Sequence, residues 1–152
     1  MAASEAIVKV RTSVGLRVDK VLSAGVYNTV RSEVECCGVD THTTFMFALT
    51  YDSALKEDER VHYQLAVLHT TPCRKRKIRV HNLTTIASPK PTIVFRNCDI
   101  EAVVVALLKE GVDRALTCPL SEENSGVRGY LDNAVANSLF KYRMHCSPAS
   151  PK

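Results

Sequence analysis

Two basic side chains near the start of the chain have a spacing that suits the binding of acidic groups. Lys9 and Arg11 lie in the stretch VKVRTSVGLRV, residues 8–18, where they alternate with Val8 and Val10. Residues two apart on a β-strand point to the same face, so the valines can face a core while both cations face the other side. This basic pair (Lys9 and Arg11) could bind two carboxylates, and the alternative is two solvated strand residues.

Five further basic residues form a second candidate contact surface, called here the basic turn cluster: Arg74, Lys75, Arg76, Lys77 and Arg79. Such a run is typical of a nuclear localisation signal or a nucleic-acid patch. The same charges also fit a hairpin turn that keeps a strand edge from pairing with other chains. Single-stranded nucleic acid stacks on exposed aromatic rings, whereas this chain has no Trp and its aromatic residues largely fall on apolar strand faces. We therefore favour the structural role and expect no nucleic-acid partner.

The histidines and cysteines do not form a catalytic or metal-binding pattern. His62, His69 and His81 lie in strand-like runs, and none of the six cysteines has a neighbouring histidine motif. There is no glycine-rich phosphate loop, nucleophile elbow or C-x-x-C spacing. The scattered cysteines fit free thiols in a reducing compartment better than a disulfide framework. We therefore expect no enzyme, no catalytic residues, no metal and no cofactor.

The composition is that of an ordinary globular chain with an uneven charge. The 152 residues are 45% hydrophobic and 24% charged, which suits one domain or two small ones. No apolar run approaches the roughly 20 residues of a membrane span, and the start MAASEAIVKV lacks a signal-peptide pattern. The net charge of +4 comes from residues 1–95. Anionic partners (an acidic peptide, a lipid headgroup or nucleic acid) are therefore expected for that part, in the cytosol or nucleus.

The elements that must position the basic pair are β-strands. The runs TFMFALTY, VHYQLAVLHT and KIRVHN alternate apolar and polar residues with a period of two, which indicates half-buried antiparallel strands. The charged loop DSALKEDER and the proline-containing turn TPCRKR connect them. Further strands are expected near residues 7–11, 16–19, 24–28 and 33–37. About seven strands in total predict a β-sandwich or a small barrel.

The stretch SPKP, residues 88–91, ends this pattern, because two prolines within four residues stop regular strand pairing. Beyond it a helical apolar stripe follows Asp99, a candidate N-cap, and a second stripe starts at Val127. Ser121 with two glutamates suits the start of the second helix. The fold class is therefore α+β, an antiparallel β-sandwich followed by a helical segment. The expected parts are a sandwich domain over 1–90, helices over 91–146 and a disordered tail over 147–152.

Several motifs together resemble one known family. In chain order they are VKVRTSVGLRV, YQLAVLHT, RKIRVHNLTT, FRNCDIEAVVVALLKEGVDRAL and VRGYLDNAVANSLFKYR. They resemble the inner-shell cargo-adaptor family of the COPII vesicle coat over about residues 7–146. The resemblance implies a β-sandwich followed by the start of an all-helical domain. It also implies a function, the binding of export signals on membrane cargo for transport from the endoplasmic reticulum to the Golgi.

The same resemblance implies a site and partners. One cargo pocket of the family reads acidic signals with a basic-x-basic pair just before a TS-x-GLR turn, and this position corresponds to Lys9 and Arg11. Lysine at position 9 departs from the family's arginine, because an ammonium group cannot make the planar two-pronged contact. The implied partners are acidic cargo signals, the sister GTPase-activating coat subunit of the full-length family and, indirectly, anionic membrane.

The implied location is cytoplasmic, on the cytosolic face of endoplasmic reticulum membranes and COPII vesicles. The family's zinc finger and trunk domain are not found in this sequence, so no cofactor is expected in this segment. The alternative function from the residues alone is a basic β-module that binds RNA or an anionic membrane surface through the basic turn cluster.

Overall fold

The computed structural model describes residues 2–117 and 126–147. The chain divides into two compact units, the first ending at Ala87 and the second beginning at Ser88. The expected fold class is confirmed: antiparallel β-sheets are followed by three helices. The expected helix start around Ser121 and most of the expected tail lie outside the described residues.

Seven strands form the first unit: β1 Ala3–Thr12, β2 Leu16–Leu22, β3 Val26–Asn28, β4 Glu33–Val39, β5 Met46–Tyr51, β6 Arg60–Thr70 and β7 Arg76–Ile86. Five of them make one antiparallel sheet in the order β3-β4-β1-β6-β7, and β2 pairs with β5 in a second sheet. Strand β1 therefore lies at the centre of the larger sheet, with hydrogen-bonded neighbours on both sides.

The core of this unit lies under β1 and β4. Val8 of β1 is directly opposite Val34 of β4, and both side chains are completely buried. Two phenylalanines pack against this pair: Phe45, which directly precedes β5, and Phe47, the second residue of β5. Alternation thus turns the apolar residues of β1 and β4 toward the second sheet, and the residues between them toward the opposite face.

Strand β1 starts earlier than the sequence pattern indicates and contains a bulge. The pairing of β1 with β6 shifts between Ser4 and Ile7, and Glu5 has a positive φ of 47°. The side chain of Arg76 is bound here, because its Nη1 donates a 2.7 Å hydrogen bond to the carbonyl oxygen of Glu5. The bulge changes which residues face the core, and the regular alternation of the basic pair begins only after it.

The turn between β1 and β2 carries the chain from one sheet to the other. Gly15 adopts a φ of +99°, a region that side chains with a Cβ rarely occupy. Its carbonyl oxygen accepts the backbone N–H of Asp52 at 2.9 Å, and Thr12 Oγ1 donates to the carbonyl oxygen of Leu16 at 2.7 Å. These bonds fix the end of β1 only a few residues beyond Arg11.

The described part of the second unit contains three helices, α1 Pro91–Asn97, α2 Ile100–Thr117 and α3 Val127–Cys146. The Asp99 cap is confirmed, since its Oδ1 accepts the N–H of Ala102 at 3.1 Å. Near the end of α2, Gly111 leaves room for Leu131 of α3, which would lie 3.3 Å from an added Cβ. Helix α1 meets the other end of α3, where the Phe95 and Tyr142 rings contact edge to face.

Candidate anion-binding site

The basic pair lies on the face of β1 that points away from the core. Lys9 is half-buried and Arg11 is exposed, whereas Val8, which precedes them on the strand, is completely buried. Two residues of strand separate their Cα atoms by about 7 Å. The structure therefore has both side chains on one face of a strand, as expected, and adds that this strand is central in its sheet.

Lys9 is held by the loop between β3 and β4. Its Nζ donates a 2.7 Å hydrogen bond to the carbonyl oxygen of Arg31. Asn28 fixes this loop, because its Oδ1 accepts the backbone N–H groups of Val30 and Arg31, both at 3.1 Å. An ammonium group has three donors, so two N–H groups of Lys9 remain available to a ligand.

Arg11 is held by the neighbouring strand. Its Nη1 donates a 2.9 Å hydrogen bond to Oε1 of Gln64, which lies directly opposite it on β6. Gln64 in turn donates from Nε2 to Oδ1 of Asn82 on β7, at 3.2 Å. One of five guanidinium N–H groups is used in this contact. Gln64 and Asn82 were not expected from the sequence, since their role depends on strand register.

The partners of the basic pair are uncharged, in contrast to those of three other arginines of this unit. Arg17, Arg31 and Arg76 each have a carboxylate oxygen within 4 Å, from Asp52, Glu33 and Glu5 respectively. Within residues 2–117 and 126–147, no carboxylate lies within 4 Å of Lys9 or Arg11. Their positive charges are therefore oriented by hydrogen bonds without being neutralised by a paired acid.

A surface hollow of about 380 Å³ adjoins Arg11. We call it the Arg11 hollow; its lining residues on β1, β6, β7 and the β1–β2 turn are Arg11, Thr12, Ser13, His62, Tyr63, Gln64, Asn82, Leu83 and Thr84. Among the residues that the structure describes, no Asp or Glu contributes to this lining. The His62 ring shares a 2.9 Å hydrogen bond with the hydroxyl of Thr84. The hollow is thus bordered by one guanidinium group, by hydroxyl and amide groups and by the apolar Leu83, and its donors suit a ligand that offers oxygen acceptors.

The basic turn cluster lies elsewhere in the same sheet, at the β6–β7 turn and along β7. All eleven residues of β7 are exposed, and Arg74 and Lys75 precede them in an exposed turn. The Arg76 side chain is held in place, because it pairs with Glu5 and also donates to the Thr70 hydroxyl at 2.9 Å. The structure thus places this cluster on one turn and on the edge strand β7. One of its members, Arg76, has a structural role at the β1 bulge.

The histidines and thiols are spread over the chain. Among the described residues, no group of three or more His, Cys, Asp or Glu side chains converges on a point where a metal could bind. His69 is half-buried and its Nδ1 has no hydrogen-bond partner in the described part of the chain. The helices that the structure describes include none with both the length and the apolar character needed to cross a lipid bilayer.

Two ionisable groups far from the basic pair in sequence have shifted pKa values. Burial, and then the neighbouring thiol of Cys37, raises the pKa of the Cys36 thiol. The pKa of Asp40 is lowered, mainly because the Thr43 hydroxyl donates to its carboxylate and also because the His42 N–H does so. Both effects belong to β4 and the loop that follows it.

Comparisons with known proteins agree on one family. The family model of the Sec23/Sec24 beta-sandwich domain matches residues 3–87. Human protein transport protein Sec24D is 30% identical over 96% of this chain, and human Sec24C is 29% identical over 96%. The crystal structure of the human COPII-coat protein Sec24c superposes with a TM-score of 0.80 at 26% identity, over 98% of this chain and 19% of that one.

These relatives are much longer proteins. The chain spans 14% of the length of human Sec24D and 13% of that of human Sec24C. The match nevertheless covers both the sandwich and the helices, and the family model alone covers more than half of the chain. The chain belongs to the Sec23/Sec24 family.

Proposed function

We propose that this chain is a non-enzymatic segment of a COPII coat cargo adaptor that binds export signals of membrane cargo for transport from the endoplasmic reticulum to the Golgi. Membership of the Sec23/Sec24 family supports the coat role, because the matching human relatives carry the names protein transport protein and COPII-coat protein. The signal is an acidic peptide, the contacts are Lys9 and Arg11, and no cofactor takes part.

The observation that carries the site assignment is the uncharged environment of the basic pair. Arg31 offers Lys9 a carbonyl oxygen, and Gln64 offers Arg11 an amide oxygen. Both contacts orient the cations and leave most of their N–H donors open. A ligand carboxylate therefore meets two oriented charges without first displacing a carboxylate of the protein itself.

The geometry favours acids that are two residues apart. The cations are separated by two strand residues, or about 7 Å. Carboxylates at positions i and i+2 of an extended peptide lie on one side of that peptide with the same separation. A di-acidic segment with one intervening residue can therefore contact both cations without bending.

The expected affinity is weak. An exposed ion pair contributes about 0–1 kcal/mol, and a charge-assisted hydrogen bond to a partly desolvated cation contributes about 1.5–3 kcal/mol. Two such contacts and a short backbone interface give a dissociation constant on the order of 10 µM to 1 mM. Weak individual contacts suit an adaptor that acts in many copies on one membrane.

The partners of the complete adaptor follow from the same proposal. They are acidic cargo tails, the sister GTPase-activating coat subunit and, indirectly, the anionic membrane. The location is the cytosolic face of the endoplasmic reticulum and of COPII vesicles.

The test is titration of a capped, fluorescent Asp-Ala-Glu peptide with the 152-residue chain, read by polarisation. We expect the Lys9→Ala/Arg11→Ala variant to lose at least tenfold in affinity, because two carboxylate contacts are removed. The matched control is Arg74→Ala/Lys75→Ala, which removes the same net charge from an exposed turn. Equal affinities of the wild type and the Lys9→Ala/Arg11→Ala variant would refute the site.

A second candidate function rests on the exposure of the basic turn cluster along the turn and β7. In this alternative the sandwich binds RNA or an anionic membrane surface through these five side chains. It predicts binding to single-stranded RNA or to phosphatidylserine vesicles that falls steeply between 50 and 200 mM salt, on the scale known for phosphate contacts. Here the Arg74→Ala/Lys75→Ala variant, rather than the Lys9→Ala/Arg11→Ala variant, would lose binding.

A further inference from the structure

Three polar side chains form a row across three strands beside the Arg11 hollow. Arg11 is the register partner of Gln64, and Gln64 is the register partner of Asn82. The Arg11 Nη1 to Gln64 Oε1 distance is 2.9 Å, and the Gln64 Nε2 to Asn82 Oδ1 distance is 3.2 Å. The row thus runs from the central strand β1, through β6, to the exposed strand β7.

The direction of these hydrogen bonds is determined by Arg11. A guanidinium group has donors and no acceptor, so Gln64 must turn its amide oxygen toward Arg11. Its NH₂ group then points to β7, and Asn82 must present its own oxygen to that group. The Nδ2 of Asn82 is thereby left as the outward donor of the row, and among the described residues it donates to no acceptor.

The surroundings of this donor suit an oxygen-bearing ligand. Asn82 is exposed, lines the Arg11 hollow and shares it with Arg11 itself. The described lining of the hollow contains no carboxylate that would compete for the amide. A peptide whose acidic side chain is bound by Arg11 therefore passes an oriented neutral donor as it crosses the sheet.

We propose that Asn82 is a further signal-binding residue and that Gln64 is the residue that positions both Arg11 and Asn82. This inference rests on the proposed function and extends it: the two acids lie along β1, the residues after them turn across β6 to β7, and Asn82 Nδ2 donates to an oxygen of this following segment. The two ends of the row lie about 10 Å apart at their Cα atoms, which three extended peptide residues span. The ligand class is an acidic peptide with an oxygen acceptor after its acidic residue.

The binding test uses the Asp-Ala-Glu peptide lengthened at its C-terminus to Asp-Ala-Glu-Ala-Ser-Ala, so that residues after the acids can reach β7, with two acidic substitutions on β7. Asn82→Asp keeps the oxygen that accepts from Gln64 and replaces the outward NH₂ by a carboxylate oxygen, so affinity should fall roughly tenfold. The control His81→Asp adds the same charge one residue away, on the opposite face of the strand, and should change affinity less than twofold. Asn82→Ala, which adds no charge, should lose roughly threefold, and it serves in place of Asn82→Asp if that variant unfolds.

Gln64→Glu tests the positioning role. A glutamate at this place would pair with Arg11 and would have no NH₂ group for Asn82, so the peptide should bind roughly tenfold more weakly although Arg11 and Asn82 are intact. The free protein offers a second measurement, the side-chain amide resonances of Asn82 in a nitrogen–proton correlation spectrum. They should shift in Arg11→Ala, because the orientation of Gln64 is then no longer determined.

The outcomes separate the two proposals. If Asn82→Asp binds as well as His81→Asp while Lys9→Ala/Arg11→Ala binds weakly, the inference about Asn82 is wrong and the function stands. If Lys9→Ala/Arg11→Ala also binds like the wild type, both are wrong. If the Asn82 resonances are unchanged in Arg11→Ala, the positioning role of the row is wrong, regardless of the measured peptide affinities.

Discussion

Replacing Gly15 by alanine tests whether the β1–β2 turn fixes the strand that carries the basic pair. Gly15 is buried and has a φ of +99°. A Cβ built at this position would lie 2.6 Å from Cδ2 of Leu55 and 3.4 Å from Oγ of Ser53. Alanine at this position would therefore have an unfavourable backbone conformation. Its Cβ would also be too close to Leu55, whose side chain would have to move.

The magnitude follows from three contributions. A residue with a Cβ in the left-handed region costs about 1–2 kcal/mol, and displacing the flexible end of Leu55 costs about 1 kcal/mol. Alanine also lowers the conformational entropy of the unfolded chain, which stabilises the folded state by about 0.4–1 kcal/mol and offsets part of this cost. The free energy of unfolding of the sandwich should therefore fall by about 1–3 kcal/mol, which lowers its Tm by about 5–20 °C for a unit of this size.

The assay is calorimetry of the full chain, with Val14→Ala as the matched control. Val14 belongs to the same turn and is 90% exposed, so its truncation should change the free energy of unfolding by less than about 0.5 kcal/mol. If Gly15→Ala and Val14→Ala unfold at the same temperature, the turn does not require glycine, and the argument that it fixes the end of β1 is wrong.

Two further predictions concern the helical unit and the thiols. Asp99→Ala should reduce the helical unit's free energy of unfolding by about 1 kcal/mol, because the N–H of Ala102 loses its acceptor. Asp99→Asn keeps an acceptor oxygen and should retain most of the stability of the wild type. If circular dichroism shows equal losses of stability for the two variants, Asp99 is not the cap. Since burial raises the pKa of the Cys36 thiol while Cys37 is exposed, iodoacetamide at pH 8 should label Cys37 faster, by on the order of tenfold. Mass spectrometry showing equal labelling would contradict this.

The sheet and the two longer helices were predictable from periodicity, because their apolar residues recur at the spacing of one face, although β7 and much of both helical stripes are exposed in this chain. Helix α1 was not: it has seven residues, too few for an apolar stripe, and it begins at Pro91, the last residue of the SPKP stretch that interrupts the strand pattern. Proline is favoured at the start of a helix, so Pro91 begins α1 five residues after the last strand has ended at Ile86.

The basic pair was predictable and its partners were not. Alternation alone puts Lys9 and Arg11 on one face of β1. Which side chain lies beside Arg11 depends on pairing with a strand more than 50 residues later in the chain, and on a bulge at Glu5 that sets the register of β1. A shift of one residue would turn Gln64 to the opposite face and leave Arg11 without this partner.

The choice of neutral partners has a consequence for selectivity. Had Gln64 been a glutamate, Arg11 would be as well ordered, yet an incoming carboxylate would have to replace an existing ion pair and would gain little. An amide orients the guanidinium group without neutralising its charge. An acidic peptide therefore gains the full free-energy difference between a solvated and a paired cation. The same argument applies to Lys9 and the carbonyl oxygen of Arg31. Selectivity for acidic over neutral peptides should therefore depend on Gln64 even though its side chain is uncharged.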